Sequence, residues 1–142
     1  MDKMKIRKAN TKDIPYLIDI VNGISSIEDY PGEFNSLYFK NMLKKNNVLV
    51  GIINGEVIGF IDFRYDKDAK RVFLESLAVS KKFRRKGVGE RLFDEVENFS
   101  KVHKVIRMSG LTRNWNDSVN NLCKKRHFKK IDTLYLWEKG LK

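Results

Sequence analysis

The stretch from Phe73 to Phe93 combines the residue types that could do chemistry. It reads as a strand ending at Val79, a basic turn through Arg84, Arg85 and Lys86, the run Gly87-Val88-Gly89, and then an amphipathic helix. The first amides of a helix have no acceptor within it and point outward at the positive end of its dipole, which makes the mouth of this helix an anion site. Gly87 and Gly89 leave the backbone bare, so a phosphate can approach closely, and the three basic residues add charge beside it. Two glycines near a helix start more often mark a tight turn. Here the strand before them, the basic run and the helix after them together favour phosphate binding. Glu75 is the ionisable residue inside the strand.

The charge of the chain concentrates in the same half. Residues 81–142 hold 17 Lys and Arg against 7 acids, residues 1–80 hold 12 against 11, and the formal net charge is +11. Such asymmetry calls for an anionic partner, either a small molecule bearing phosphates or a nucleic acid, and charge alone does not choose between them. Other classes are excluded. Cys123 is the one cysteine and makes no internal disulfide, and with only His103 and His127 beside it no metal is expected. The longest apolar run, about Val48 to Ile53, is too short for a membrane span, and the opening charges have no apolar stretch behind them. These features predict a cytoplasmic chain with no membrane partner that starts at Met1. It should fold as one domain over residues 1–142 and bury about two-thirds of its unfolded surface.

Periodicity supplies the elements that hold the stretch in place. Met4 to Arg7 alternates as a short strand, and Asn10 or Thr11 caps a helix from about Ile14 to Val21, with Ile14, Leu17, Ile18 and Val21 on one face. A loop from Asn22 to Asn35, containing the turn signal Asp29-Tyr30-Pro31-Gly32, leads to a helix from about Ser36 to Lys44. Val48 to Ile53, the hairpin dipeptide Asn54-Gly55, Glu56 to Tyr65 and Arg71 to Val79 form an antiparallel meander. The next helix, about Val88 to Ser100, carries Val88, Leu92, Phe93, Val96 and Phe99 on one stripe. Lys104 to Met108 predicts a strand, Asp117 to Arg126 a helix, and Phe128 to Trp137 a closing strand. The order is that of a mixed α/β layered domain.

This arrangement resembles the Gcn5-related N-acetyltransferase (GNAT) superfamily. Arg84-Arg85-Lys86-Gly87-Val88-Gly89 matches the family's motif A, which is Arg or Gln, two residues, Gly, one residue, then Gly or Ala. Upstream, Glu75-Ser76-Leu77-Ala78-Val79 is similar to the family's fourth strand. Downstream, Asn116 to Phe128 is similar to motif B, with Cys123 at the usual Tyr position and His127 at the usual Gly position. The opening Ile6-Arg7-Lys8-Ala9 and its capped helix are also typical of the family.

The resemblance implies an α/β (α+β) fold: a mixed, mainly antiparallel sheet whose fourth and fifth strands splay, flanked by about four helices. It implies acetyl-CoA as cosubstrate, held by Leu77, Ala78, Val79, Arg84, Arg85, Lys86, Gly87, Val88, Gly89, Glu90 and Asn116. The acetyl group would pass by direct attack in a ternary complex to a primary amine on a small molecule or a protein. Glu75 is the candidate general base, and Cys123 stands where many members carry the acid; a lone helical cysteine reads equally as a small buried hydrophobe. Glu28, Asp29, Tyr30 and Phe34 offer acidic and aromatic contacts to a cationic acceptor, although Tyr30 and Phe34 also suit lids on the core. Two other classes compete. Lys124-Lys125-Arg126 and Lys129-Lys130, near Trp115 and Phe128, suit a nucleic-acid-binding module. The missing Tyr suits a catalytically weak acyl-CoA sensor. Tyr135 or Trp137 on the last strand is a candidate homodimer contact.

Overall fold

The computed structural model describes residues 3–23, 34–114 and 116–141, and the chain divides into two compact units, residues 1–111 and 112–142. The first unit is built on a five-stranded sheet in the order β1-β2-β3-β4-β5: β1 Lys5–Lys8, β2 Asn47–Ile53, β3 Glu56–Asp66, β4 Arg71–Val79 and β5 Arg107–Gly110. The first three pairings are antiparallel and β4–β5 is parallel. Helices α1 (Ile14–Asn22) and α2 (Ser36–Lys45) pack on one face through Leu17, Val21, Phe39 and Met42 against Val48, Val50 and Phe60. Helix α3 (Val88–Val102) covers the other, where Phe99 meets Phe63 and Tyr65 edge-on. This is the mixed, mainly antiparallel fold expected from the sequence.

Local chemistry sets the joints. After β1 the chain turns through a capping box: Asn10 accepts from the Lys12 amide at 2.9 Å and Asp13 accepts from the Asn10 amide at 2.8 Å. The Arg7 guanidinium donates two 2.8 Å bonds to the same Asp13 carboxylate, and these hold its pKa below the ordinary range. Helix α1 buries Ile14, Leu17, Ile20 and Val21, with Ile18 half-buried against the same cluster. Asn54 and Gly55 both take left-handed backbone, at φ 50° and 78°, as a two-residue hairpin turn between β2 and β3 requires.

Three features shape the sheet around β4. Ser76 pairs with Asp62 and Leu74 with Phe63, so Glu75 is the extra residue of a bulge. The β4–β5 pairing ends at Leu74 and Gly110, and residues 75–79 of β4 run on beyond it. At Gly59 on β3 a Cβ would sit 3.2 Å from both the Ala78 carbonyl oxygen and Val88 Cγ1, so glycine is what lets the first turn of α3 lie down on the sheet. The strand predicted from Lys104 starts at Arg107 instead. Helix α3 closes with Lys104 at φ 54°, its amide donating to Lys101 and the Val105 amide donating to Ser100, a reversal that occupies these residues.

In the second unit, α4 (Asp117–Lys125) is capped by the Asn116 side chain and closes by the same pattern, with the Phe128 amide donating to Cys123 and His127 at φ 65°. The closing strand expected over Phe128 to Trp137 is not formed, and residues 128–141 carry neither helix nor strand. Alternation and β-propensity specify a strand only where a hydrogen-bonded neighbour exists. Among the described residues of this unit α4 is the one regular element, and Ile131, Leu134, Tyr135 and Trp137 are exposed.

Candidate active site

The mouth of α3 differs from the other helix starts. Asparagine side chains, Asn10, Asn35 and Asn116, close the turn into α1 and the starts of α2 and α4 by accepting backbone amides. Helix α3 begins at Gly87, which has no side chain to do so. Its first helical bond runs from the Arg91 amide to the Gly87 carbonyl at 3.1 Å, so the amides of Val88 and Gly89 stand ahead of it at the mouth. Gly87 has φ 80° and Arg85 φ 61°, and for Arg85 the left-handed region costs about 1 kcal/mol. A Cβ at Gly87 would meet nothing within 4 Å, and one at Gly89 would make only ordinary contacts with Leu77 and Val79. The space over the mouth is open.

The three basic side chains of the turn do different things. Arg84 donates from Nε to the Val79 carbonyl at 3.1 Å and from Nη2 to the Gly23 carbonyl at 3.4 Å, tying the end of β4 to the end of α1. Lys86 Nζ lies 5.6 Å from the centre of the Phe83 ring. Arg85 is exposed at the turn.

Beside the mouth runs the far half of β4. The Ser80 amide donates to Ile58 at 2.7 Å, which makes Ala78 and Phe60, and Ser76 and Asp62, the hydrogen-bonded pairs of the antiparallel ladder. The amides of Leu77 and Val79 therefore point away from β3, to the side where β5 has already ended. This is the splay expected of the fourth and fifth strands.

Two carboxylates lie on the α1/α2 face of this region. Glu75, a third exposed at its side chain, is ion-paired with Arg64, whose guanidinium lies 4.9 Å from the centre of the Phe73 ring. Asp62 was missed by sequence reasoning. It is 1% exposed, accepts from Asn46 Nδ2 at 2.6 Å and has Ser76 directly across the ladder. Burial pushes its pKa above the ordinary range and the nearby Glu75 adds to the rise, while the bonds from Asn46 and Ser76 and the Arg64 charge work against it. The available signal was a single carboxylate in the otherwise apolar run from Val57 to Phe63.

Asn116 and Cys123 belong to the second unit. Asn116 Oδ1 accepts from the Val119 amide at 3.3 Å, so this side chain is a helix cap. Cys123 is half-buried, and burial raises its pKa, which keeps the thiol protonated at neutral pH. Asn120, which sequence reasoning did not single out, donates to the carbonyls of Arg113 and Asn114 at 3.1 and 3.3 Å and orders the approach to α4. Phe34 packs against the core and meets Tyr38 edge-on, with ring centres 5.0 Å apart, as a lid would. Glu28, Asp29, Tyr30 and Trp115 lie outside the described residues. Among the described residues no group of three His, Cys, Asp or Glu side chains is placed to hold a metal, and no helix is long and apolar enough to cross a membrane.

A glycine-mouthed helix beside a splayed strand pair is the geometry of acetyltransferases that use coenzyme A, and the sequence profile of the acetyltransferase (GNAT) family matches residues 16–128. The chain belongs to that family. Among solved structures it is similar to the PaiA N-acetyltransferase of Thermoplasma acidophilum in complex with coenzyme A, with a TM-score of 0.81 and 21% identity over 92% of each chain. It is also similar to the aminoglycoside N-acetyltransferase AAC(6')-Iy in complex with a bisubstrate analogue, with a TM-score of 0.76 and 19% identity over 98% of this chain and 99% of that one. A third likeness is to the ribosomal-protein-alanine N-acetyltransferase of Brucella melitensis biovar Abortus, with a TM-score of 0.81 and 12% identity over 96% and 100%. At these identities the likeness is one of fold. A search of curated protein sequences returns no match.

Proposed function

We propose that this chain transfers the acetyl group of acetyl-CoA to a primary amine by direct attack in a ternary complex. The observation that carries the proposal is the side-chain-free mouth of α3 lying beside the half of β4 that runs on past the end of β5. The pyrophosphate sits on the Val88 and Gly89 amides, with Arg85 and Lys86 beside it; Arg84 contributes by fixing the loop. The pantetheine arm runs along the open edge of β4 as an added strand, bonding the outward amides of Leu77 and Val79. One of these amides faces the thioester carbonyl and stabilises the oxyanion as it forms. The solved relatives named for acetylating an aminoglycoside or a ribosomal-protein alanine favour an amine acceptor, borne by a small molecule or a protein. The departing CoA thiolate takes its proton from the attacking nitrogen, which becomes acidic once its bond to the carbonyl carbon has formed.

The test is calorimetric titration with acetyl-CoA, CoA and dephospho-CoA at two salt concentrations. One saturable site, weakened when the 3′-phosphate is absent, is the expected result. Absence of binding at both salts overturns the proposal and leaves the basic half of the chain to a nucleic acid, whose affinity would fall steeply with salt.

A further inference from the structure

A buried carboxylate without a cationic partner is costly, and a strand interior has cheaper ways to fill the place of Asp62. Three features frame it. It stands directly across the ladder from Ser76 on β4. Ser76 is half-buried and comes immediately before Leu77, whose amide faces the open side of β4. Asn46, at the end of α2, donates to the carboxylate at 2.6 Å. Glu75, by contrast, is the bulged residue, and its carboxylate is ion-paired with Arg64.

We propose that Ser76 and Asp62 form a relay that removes the proton from the acceptor amine, with Ser76 touching the nitrogen and Asp62 acting behind it. The inference rests on the acetyltransferase reading and deepens it. The acceptor enters as an ammonium ion. One of its protons passes to Ser76 Oγ as the hydroxyl proton passes to the Asp62 carboxylate. The nitrogen lone pair then forms the bond to the thioester carbon, and the carbon–sulfur bond breaks with its electron pair on sulfur. A second nitrogen proton neutralises the thiolate, leaving amide, CoA and a protonated Asp62 that returns its proton to solvent through Ser76. Burial suits Asp62 to the part, because it raises proton affinity towards the range a general base needs. The charged groups that face it are Glu75 and Arg64, while Lys44 and Lys45 of α2 and Asp19 of α1 are exposed.

The experiment follows CoA release from acetyl-CoA as a function of pH, with kanamycin, spermidine and an alanine-terminated peptide as amine probes, and measures CoA affinity by calorimetry on the same proteins. Asp62→Asn and Ser76→Ala are each expected to lower kcat by about 100-fold with CoA affinity unchanged. Ser76→Thr, which keeps the hydroxyl, should restore most of the rate, and the acid limb of the wild-type kcat profile should vanish in Asp62→Asn. Retention of rate and acid limb in Asp62→Asn overturns the relay, as does a large loss in Glu75→Gln alone. A wild-type protein that neither binds CoA nor releases it with any probe overturns the transferase reading and the relay with it.

Discussion

The two charged regions flanking the far half of β4 are built in opposite ways. At the α3 mouth the charge is positive and exposed, the backbone donors are left without side-chain caps, and one non-glycine residue, Arg85, is held in left-handed backbone. Around the bulge the charge is mostly negative, and each carboxylate is occupied: Glu75 by Arg64, and Asp62 by Asn46. An exposed cationic mouth binds a highly charged ligand with little cost of desolvation on the protein side. A buried carboxylate binds almost nothing but can hold a proton. Binding and proton transfer thus ask for different degrees of burial within a few residues of one strand.

The comparison can be broken most sharply at the mouth. Gly89→Glu places a carboxylate where the phosphates should sit, in a position where a Cβ makes only ordinary contacts. Its CoA dissociation constant is expected to rise by about tenfold or more with the melting temperature unchanged. Arg84 and Arg85 separate next. Arg84→Ala loses two bonds to backbone carbonyls and should lower stability by about 1 kcal/mol. Arg85→Ala should leave stability intact while reducing CoA affinity more at low salt than at high salt.

The acidic region answers to pH. The folded chain holds the Asp62 pKa above its unfolded value, so this group favours folding while protonated, and the contribution is lost as pH rises through the folded value. Asp62→Asn removes that loss, and its melting temperature should therefore gain on the wild type from acid towards neutral pH. Asp13 has the opposite sign: its bonds from Arg7 stabilise the fold above the unfolded pKa and fail as pH drops through the lowered folded value. Smallest of all, neutralising the partly exposed Arg64–Glu75 pair with Arg64→Met should change stability by about 0.5 kcal/mol, read by denaturant titration.

Most of the scaffold was legible because it is written in local signals. The cap at Asn10 and the Asn54-Gly55 turn depend on nearest neighbours, and so does the glycine start of α3. The bulge at Glu75 was not legible, since it arises from a mismatch of count between two strands and leaves no mark in either alone. Asp62 was overlooked for a related reason: what makes it matter is Ser76 across the ladder and Asn46 from α2, sixteen residues away in sequence. The segment from Phe128 to Trp137 carries strand-like spacing without a strand, because propensity does not create a partner. His127 and Lys104 hide helix ends for the opposite reason, taking up left-handed backbone where glycine would have announced it.

The bond from Arg84 to the Gly23 carbonyl joins residues 61 apart in the chain. Loop closure over such a separation is entropically unfavourable until the intervening β2–β4 meander and α1 have assembled, so this contact belongs to the late stages of folding. The loop that leads into α3 consequently matures after the sheet that supports it. Its opening by local unfolding should require less free energy than unfolding of the sheet, and hydrogen exchange should register Phe83 to Gly87 as the first part of this region to exchange.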